Sequence, residues 1–236
     1  MPPDPAHAPD AANPRDPRVP LLLLLSVTTG LVDAASVLGL GKVFTANMTG
    51  NIVFLGFAAS GAPGFKVAPY VMALASFLVG ATIAGRRGRP ATRGTERRWL
   101  TTSAIVETML LWAAAAVALG FDVATQSPEP KLFAVIGLTG LAMGYRNATI
   151  RQLKVVDLTT TVLTLTLTGL GADSSMAGGG NPNWQRRIGA VAALFVGAAI
   201  GAYLLVQYGL AIPLALAGTL GLLGTLACAS RTGSST

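Results

Sequence analysis

The chain has 236 residues, of which 52% are hydrophobic and only 11% are charged. A soluble domain usually carries roughly twice that charged fraction, so the composition excludes an ordinary soluble protein and predicts a multi-pass membrane protein in contact with the lipid bilayer. The net charge of +7 does not indicate nucleic-acid binding, because six of the 17 basic residues lie together at 86–98, where a cytoplasmic loop accounts for them.

The N-terminal segment, residues 1–18, is rich in Pro, Ala and Asp, a composition typical of disordered tails. The apolar run that follows continues past Asp33 to about Leu40, which is longer than the hydrophobic region of a signal peptide. We therefore expect a disordered tail followed by an uncleaved first membrane helix.

Apolar runs divide the rest of the chain into candidate membrane segments. They are 20–40, 43–60, 68–85, 99–120, 132–149, 158–172, 188–207 and 210–229. The second and sixth segments are shorter and more polar than the others, so they decide whether the chain crosses the membrane eight times or six times.

The distribution of Lys and Arg favours six crossings. If all eight segments span, the best orientation places 10 basic residues inside and seven outside. If the second and sixth segments enter and leave on the same side, 14 lie inside and three outside, which is what the positive-inside rule expects. The predicted fold is therefore an all-α integral membrane protein with six transmembrane helices plus two re-entrant or broken polar segments. Both termini are expected in the cytoplasm.

The two halves of the chain resemble one another when the sequence is shifted by about 114 residues. The shift pairs Gly30 with Gly144 and Asp33 with Asn147, and with small gaps it pairs 77–85 with 194–202. Because each half has three spans, the repeats are expected to be inverted, a plan that recurs in secondary transporters with sites at the repeat interface. The alternative is an old duplication retained for packing alone.

The repeat sets the predicted domain boundaries. The first membrane repeat covers 19–120, a connecting loop covers 121–131, the second repeat covers 132–230, and a C-terminal tail covers 231–236. Small residues spaced four apart predict close helix packing within these repeats. The pairs are Gly140 with Gly144, Gly197 with Gly201, and Ala81 with Gly85.

Two acidic residues, Asp33 and Glu107, lie well inside apolar runs. An ionisable group at membrane depth is costly and usually faces a cavity or a partner. Asp33 is interpreted as a proton or cation site, with pairing to Arg146 or capping of a helix break as the structural alternative. Glu107 is a possible proton relay or a structural hydrogen-bonding group, and Arg146 is expected to extend toward the membrane surface.

Uncharged polar residues recur at every second position in the segment 43–56, VFTANMTGNIVFLG. Thr45, Asn47, Thr49 and Asn51 would point in different directions on a helix, whereas on an extended strand they share one face. The sixth segment shows the same pattern, with Thr160 and Thr164 at positions of the same parity. Extended backbone lining a watery cavity is one interpretation. Ordinary helices with polar groups that bond to neighbouring helices are the other.

The candidate binding site for a small solute or ion combines the polar residues of both halves. It consists of Asp33, Thr45, Asn47, Thr49, Asn51, Asn147, Asp157, Thr160 and Thr164. No catalytic arrangement accompanies them, since the only histidine is His7 in the tail and the single cysteine is Cys228. We therefore expect no enzyme activity, no cofactor and no metal site.

The stretches GLVDAASVLGLGKVFTANMTGNIVFLG and GLAMGYRNATIRQLKVVDLTTTVLTLTLTG resemble the two signature regions of the YoaK family. The resemblance implies a bacterial inner-membrane protein of about this size, with no established substrate. It also directs attention to Gly50 and 159–161 besides the residues named above. One position departs from the family pattern, because Leu165 follows Thr164 where a glycine is expected.

The leading functional hypothesis is a secondary transporter or facilitator of a small solute or ion, with a central site at the repeat interface. One alternative is a non-transporting membrane scaffold or assembly protein whose polar motifs only hold helices together. Another is a channel with the polar segments as its filter. A homo-oligomer is compatible with all three hypotheses.

Overall fold

The computed structural model describes residues 18–88, 93–153 and 163–231, and the secondary structure in these ranges is helical apart from one isolated bridge between Asp122 and Ser127. Most of the predicted N-terminal tail, Asp157, Thr160 and residues 232–236 lie outside the described residues. The helices are α1 (Arg18–Gly39), α2 (Met48–Ala59), α3 (Val67–Arg87), α4 (Arg93–Ala118), α5 (Glu129–Leu153), α6 (Leu163–Ala172), α7 (Trp184–Tyr208) and α8 (Ala211–Arg231).

Five helices in the described part of the chain are long and apolar enough to cross a membrane, namely α1, α3, α4, α7 and α8. α5 has the length of a span, with 25 residues, but it carries four charged residues, Glu129, Lys131, Arg146 and Arg151. α2 and α6 are too short, with 12 and 10 residues. The all-helical membrane architecture is therefore confirmed, while the count of six spans stays a prediction.

Helix packing follows the same pattern in both halves. α1 packs on α7 as α5 packs on α3, and α4 packs on α5 as α8 packs on α1. The short helices match as well, since α2 packs on α3 and α6 packs on α7. α4 and α8 face each other, and the contact of α7 with α8 has no counterpart of similar extent between α3 and α4. The centre of the molecule is thus formed by α1, α4, α5 and α8.

The two principal helix pairs cross at glycines. A Cβ atom on Gly144 of α5 would collide with the carbonyl oxygen of Phe77, and one on Gly80 of α3 would collide with that of Leu141. Only a residue without a side chain permits this close backbone approach. The predicted pair on α3 is corrected here, because a Cβ on Gly85 would meet nothing within 4 Å and Gly80 makes the contact instead.

The crossing of α1 with α7 uses the equivalent residues. A Cβ on Gly30 would strike the carbonyl oxygen of Leu194, and one on Gly197 would strike that of Val27. Gly30 and Val27 match Gly144 and Leu141 at the 114-residue offset, and 194–197 matches 77–80. The internal repeat of the sequence therefore coincides with a repeat of backbone contacts.

The contacts also give the helix directions. α4 and α5 are antiparallel, because Lys131 Nζ donates to the Leu119 carbonyl oxygen at 2.6 Å whereas Arg146, farther along α5, pairs with Glu107, earlier in α4. α1 runs parallel to α7 and antiparallel to α8. α3 runs parallel to α5. The residues that approach one another along these pairs are Leu23 with Gly189, Leu31 with Gly201, Leu24 with Gly224, Gly39 with Leu210, Met72 with Gly137, and Phe77 with Gly144.

The two ends of the bundle are packed differently. At the end formed by the C-terminal halves of α1 and α4, which we call the closed end, large apolar side chains are fully buried in one continuous core. They include Leu31, Leu40, Tyr70, Leu111, Ile136, Leu210 and Leu214. At the opposite end, which we call the cleft end, the core cluster is smaller and includes Leu21, Leu22, Leu25 and Ile150. A cleft enters the bundle there.

Candidate functional site

The polar segment after α1 is part helix and part irregular backbone. α1 ends at Gly39, residues 40–47 are not helical, and α2 begins at Met48. Extended backbone over the whole of 43–56 is therefore wrong beyond residue 47. The physical reason is that the apolar residues from Met48 onward satisfy their backbone groups within a helix, as lipid-facing segments must.

The segment turns back to the end where it began. The Nζ of Lys42, just after α1, lies 4.8 Å from the ring centroid of Phe65, just before α3. Phe54 in α2 stacks on Phe44 and also contacts Phe65. This return is compatible with the predicted re-entrant path.

Asn51 holds the irregular backbone against α2. Its side chain is fully buried, its Oδ1 accepts from the Phe44 N–H at 2.9 Å, and its Nδ2 donates to the Phe44 carbonyl oxygen at 2.6 Å. A single amide thus satisfies both backbone groups of a residue that no helix can satisfy. The geometry gives Asn51 a structural role.

Asp33 of α1 also binds the irregular backbone. Its Oδ1 accepts from the Ala46 N–H at 2.9 Å, and the backbone amides of Thr45 and Asn47 lie beside the same carboxylate. Asp33 precedes the end of α1 at Gly39 by six residues, about 9 Å along the helix axis. The irregular loop therefore reaches back into the bundle to meet it, which is the capping arrangement considered from the sequence.

The four period-two residues do not share one face, contrary to the extended-strand interpretation. Thr45 and Asn51 are fully buried, whereas Asn47 and Thr49 are exposed. Because α2 starts at Met48, Thr49 and Asn51 are about 200° apart around its axis. Asn47 is the N-cap of α2 but makes no side-chain capping bond within the described residues.

The candidate residues of the second half are also dispersed. Asn147 is partly buried in α5, and Thr164 is exposed near the start of α6 while Thr166 is buried. Asp157 and Thr160 lie outside the described residues. Because α2 packs on α3 and α6 packs on α7, the described parts of the two polar segments do not meet at the centre.

The centre holds an ion pair instead. Arg146 of α5 pairs with Glu107 of α4, and both side chains are buried, at 2% and 8% exposure. Arg146 Nη1 also donates to Thr29 Oγ1 of α1 at 3.3 Å. The expectation that Arg146 extends toward the membrane surface is wrong, because the opposite charge of Glu107 offsets much of the cost of burying it.

A small residue on the fourth central helix makes room for this pair. A Cβ on Gly221 of α8 would lie 3.2 Å from Glu107 Oε1 and 3.5 Å from Arg146 Nη2. Leu25 of α1 approaches the same position at 3.9 Å. The ion pair therefore lies where α1, α4, α5 and α8 converge.

The cleft ends on the ion pair and has a cavity volume of about 30 Å³. Its lining consists of Leu21, Leu25, Leu100, Ser103, Ala104, Glu107, Arg146, Thr149, Ile150, Leu153 and Thr225. Most of these are apolar, so a bound molecule would meet an apolar wall and a polar floor.

Two buried polar atoms of the lining are unpaired. Ser103 Oγ and Arg146 Nε have no hydrogen-bond partner within the ranges the structure describes. The hydroxyls of Thr149 and Thr225 are occupied by backbone carbonyls of their own helices, at 2.9 and 2.8 Å. A buried polar group without a partner costs about 1–3 kcal/mol, so a ligand that supplied an acceptor would be favoured here.

The sequence carries one signal for this ion pair. Glu107 and Arg146 carry opposite charges in neighbouring segments, and the predicted topology makes those segments antiparallel. Ser103 gave no signal of its own. No group of three or more His, Cys, Asp or Glu that could hold a metal ion occurs among the described residues.

A family model described as "protein of unknown function (DUF1275)" matches residues 21–227, which extends from α1 to near the end of α8 and includes the whole cleft. The chain belongs to the DUF1275 family. This DUF1275 protein is 34% identical over 155 residues to the "UPF0700 transmembrane protein YoaK" of Bacillus subtilis (strain 168). The alignment covers 66% of each chain. No solved structure matches.

The family match and the helical architecture agree on the class of the protein. It is a multi-pass membrane protein of a family whose function is unknown. The resemblance seen in the sequence motifs is confirmed, and the family description adds no substrate.

Proposed function

We propose that this DUF1275 protein is a secondary transporter or facilitator of a small solute, and that the cleft above Arg146 and Glu107 is its solute site. The observation that carries the proposal is a buried ion pair, flanked by two unpaired polar atoms, at the end of a cleft between the four central helices. Ionisable residues inside membrane bundles are costly and mark solute or proton pathways. The proposed site is the ion pair and not the polar motifs expected from the sequence. The kind of function is the one expected from the sequence.

The topology in this proposal is six spans arranged as two inverted repeats. The matched glycine crossings and helix contacts support the repeat, and the opposite directions of α1 and α5, of α3 and α7, and of α4 and α8 support the inversion. α5 is the sixth span, with its charged Arg146 compensated by Glu107. Inverted repeats of this kind place substrate sites at the interface between the repeats.

The proposed orientation places the cleft end in the cytoplasm of a bacterial cell, at its inner membrane. Arg86 and Arg87 end α3 at the cleft end, and Arg97 and Arg98 lie in the first turns of α4 at the same end. Excess Arg on one side of the membrane is the signature of the cytoplasmic side. Lys42 and Lys131 lie at the closed end.

The one-sided cleft favours alternating access over an open channel. The closed end is filled by fully buried Leu and Ile side chains and by Tyr70, so a solute in the cleft has no continuous path through the bundle in this state. We assign the conformation to the inward-facing state of a transport cycle. The irregular segment 40–47, held by Asp33 and Asn51, lies at the closed end and is proposed as part of its gate.

A scaffold function is the second candidate, because the carboxylate of Asp33 and the amide of Asn51 bond within their own half of the chain. A non-transporting protein would need only such internal hydrogen bonds. The cleft favours transport, since a scaffold needs no open space against a buried ion pair, whereas unpaired buried hydroxyls also occur away from the cleft, at Thr45 and Tyr70.

The test is a thermal-shift screen of the purified protein against small solutes and ions, followed by uptake of each hit into proteoliposomes. A ligand raises the apparent unfolding temperature of the state that it binds. The double variant E107Q/R146Q removes both charges of the cleft together, so no charge is left buried and unpaired. It is expected to remain folded and to lose both the shift and the uptake.

The matched control is R187Q. Arg187 is also buried, pairs with Asp173 at 2.7 Å, and lies on α7 away from the cleft. This control is expected to keep the ligand response. If E107Q/R146Q transports as well as the wild type, or if R187Q loses transport equally, the cleft is not the solute site.

A further inference from the structure

The floor of the cleft is electrically neutral only while Glu107 is ionised. Arg146 and Glu107 are the ionisable residues of the lining in the described part of the chain. Arg146 directs Nη2 to Glu107 and Nη1 to Thr29, and its Nε remains unpaired. One edge of the guanidinium is thus occupied by a carboxylate of the protein, while the Nε–H is still available to a second acceptor.

We propose that the cleft binds a small monocarboxylate together with one proton, and that Glu107 is the proton acceptor. This inference rests on the cleft being the solute site. When Glu107 takes up a proton on its carboxylate, its negative charge is lost and the Arg146 cation loses its direct counter-ion, keeping only the weaker attraction of the Asp33 carboxylate. A solute carboxylate then supplies that counter-ion, accepting hydrogen bonds from the Arg146 guanidinium and from Ser103 Oγ. When the proton leaves Glu107, the internal pair re-forms and the solute is released.

The charges favour this order of events. A solute anion next to both Arg146 and an ionised Glu107 would place two buried negative charges against one positive charge. One proton and one anion together leave the site as neutral as before binding. Binding of the proton therefore raises the affinity for the solute, and binding of the solute raises the affinity for the proton by the same factor.

The surroundings of Glu107 contain few other charges that could replace Arg146. On α5 it faces Arg146, and on α1 the nearest ionisable residue is Asp33, one turn beyond Thr29 and engaged with the Ala46 N–H. α8 presents Gly218, Gly221 and Thr225 to α4 and brings no ionisable side chain near Glu107 in the residues described. On α4 itself the next charged residues are Glu96, Arg97 and Arg98 near the mouth.

The walls of the cleft indicate what the carboxylate is attached to. Leu21, Leu25, Leu100, Ala104, Ile150 and Leu153 surround the space above the ion pair. Apolar side chains favour an apolar body, and a second charged group on the solute would meet no partner there. Short straight-chain carboxylates combine the required acceptor with an apolar tail.

The experiment measures thermal shifts of the purified protein with straight-chain carboxylates from acetate to hexanoate, each compared with its amide, at pH 6 and pH 8. These acids are ionised at both pH values, so a pH effect reports on the protein. The wild type is expected to bind at least one carboxylate and not its amide, with affinity falling by up to about tenfold for each unit of pH increase. E107Q, which mimics the protonated residue, is expected to bind the same carboxylate equally at both pH values.

The double variant E107Q/R146Q is expected to bind none of the carboxylates, and R187Q is expected to behave as the wild type. The inference is overturned if amides bind as well as carboxylates, or if E107Q keeps the pH dependence. It is also overturned if no carboxylate binds while another solute of the general screen does, a result that leaves the transporter proposal intact. If the cleft variants change the thermal shift produced by no solute, both proposals are wrong.

Discussion

Asp33 and Glu107 are both acidic residues inside apolar segments, yet the structure gives them different partners. Asp33 accepts from the Ala46 backbone N–H, 13 residues farther along the same half of the chain. Glu107 pairs with the side chain of Arg146, 39 residues away and in the other half. A carboxylate satisfied by nearby backbone stabilises a local turn, whereas a carboxylate paired with a side-chain cation at the end of a cleft has a partner for which a ligand can compete.

The same contrast applies to the two regions as wholes. In the polar motif, Asn51 satisfies both backbone groups of Phe44, although the buried Thr45 Oγ1 has no partner among the described atoms. In the cleft, Ser103 Oγ and Arg146 Nε are buried and unpaired among the described atoms. Unpaired polar atoms thus occur in both regions, and the cleft differs because it places them beside open space and a buried ion pair.

The largest effect is expected for Arg146→Gln. It leaves Glu107 as a buried unpaired charge, and breaking a buried pair in this way costs about 3–5 kcal/mol of stability. E107Q/R146Q should recover most of that loss, because neither charge remains. Thermal unfolding in detergent measures both variants, and equal destabilisation of the single and double variants would contradict the buried pair.

A smaller loss of stability is expected for Asn51→Ala. The substitution leaves the Phe44 N–H and carbonyl without their partner in a buried setting, at a cost of about 1–3 kcal/mol. Thermal unfolding should detect it, and solute binding measured at a temperature where the variant is folded should be retained. Loss of binding in the folded variant would place Asn51 in the solute site and remove the contrast between the two regions.

Asp33→Asn is expected to change stability by no more than about 1 kcal/mol, because the amide oxygen can still accept from the Ala46 N–H. Solute binding should also persist, and its pH dependence should match that of the wild type, whereas Glu107→Gln abolishes that dependence. Calorimetric titration at two pH values compares the variants. If Asp33→Asn eliminates the pH dependence, Asp33 is the proton acceptor and the comparison is reversed.

The smallest effect is expected for Asn47→Ala, since Asn47 is exposed and makes no side-chain cap in the structure as described. Surface substitutions of this kind usually change stability within about 0.5 kcal/mol. Unfolding and uptake assays should both resemble the wild type. A folded Asn47→Ala protein that no longer transports would restore the polar motif as the solute site.

The sequence predicted the fold better than the site. Apolar length located the eight α-helices with ends within four residues, apart from the starts of α2, α4 and α6, which differ by five or six residues. The 114-residue repeat paired Gly30 with Gly144, two of the glycines at which the helices cross. Both signals are local, because each segment must bury its own backbone hydrogen bonds in lipid. The shared polar face predicted from the period-two pattern is wrong, since α2 begins at Met48 and turns Thr49 and Asn51 to different sides.

Sequence alone determined that this is a multi-pass helical membrane protein with an internal repeat and with costly charges in its apolar segments. Only the tertiary structure decided which groups those charges meet. Each residue step turns a side chain by about 100° around the helix, so a partner depends on the rotation and depth of two helices together. That geometry placed Arg146 against Glu107 between four helices, placed Asp33 against a neighbouring loop, and put the cleft at the end formed by the N-terminal halves of α1 and α4.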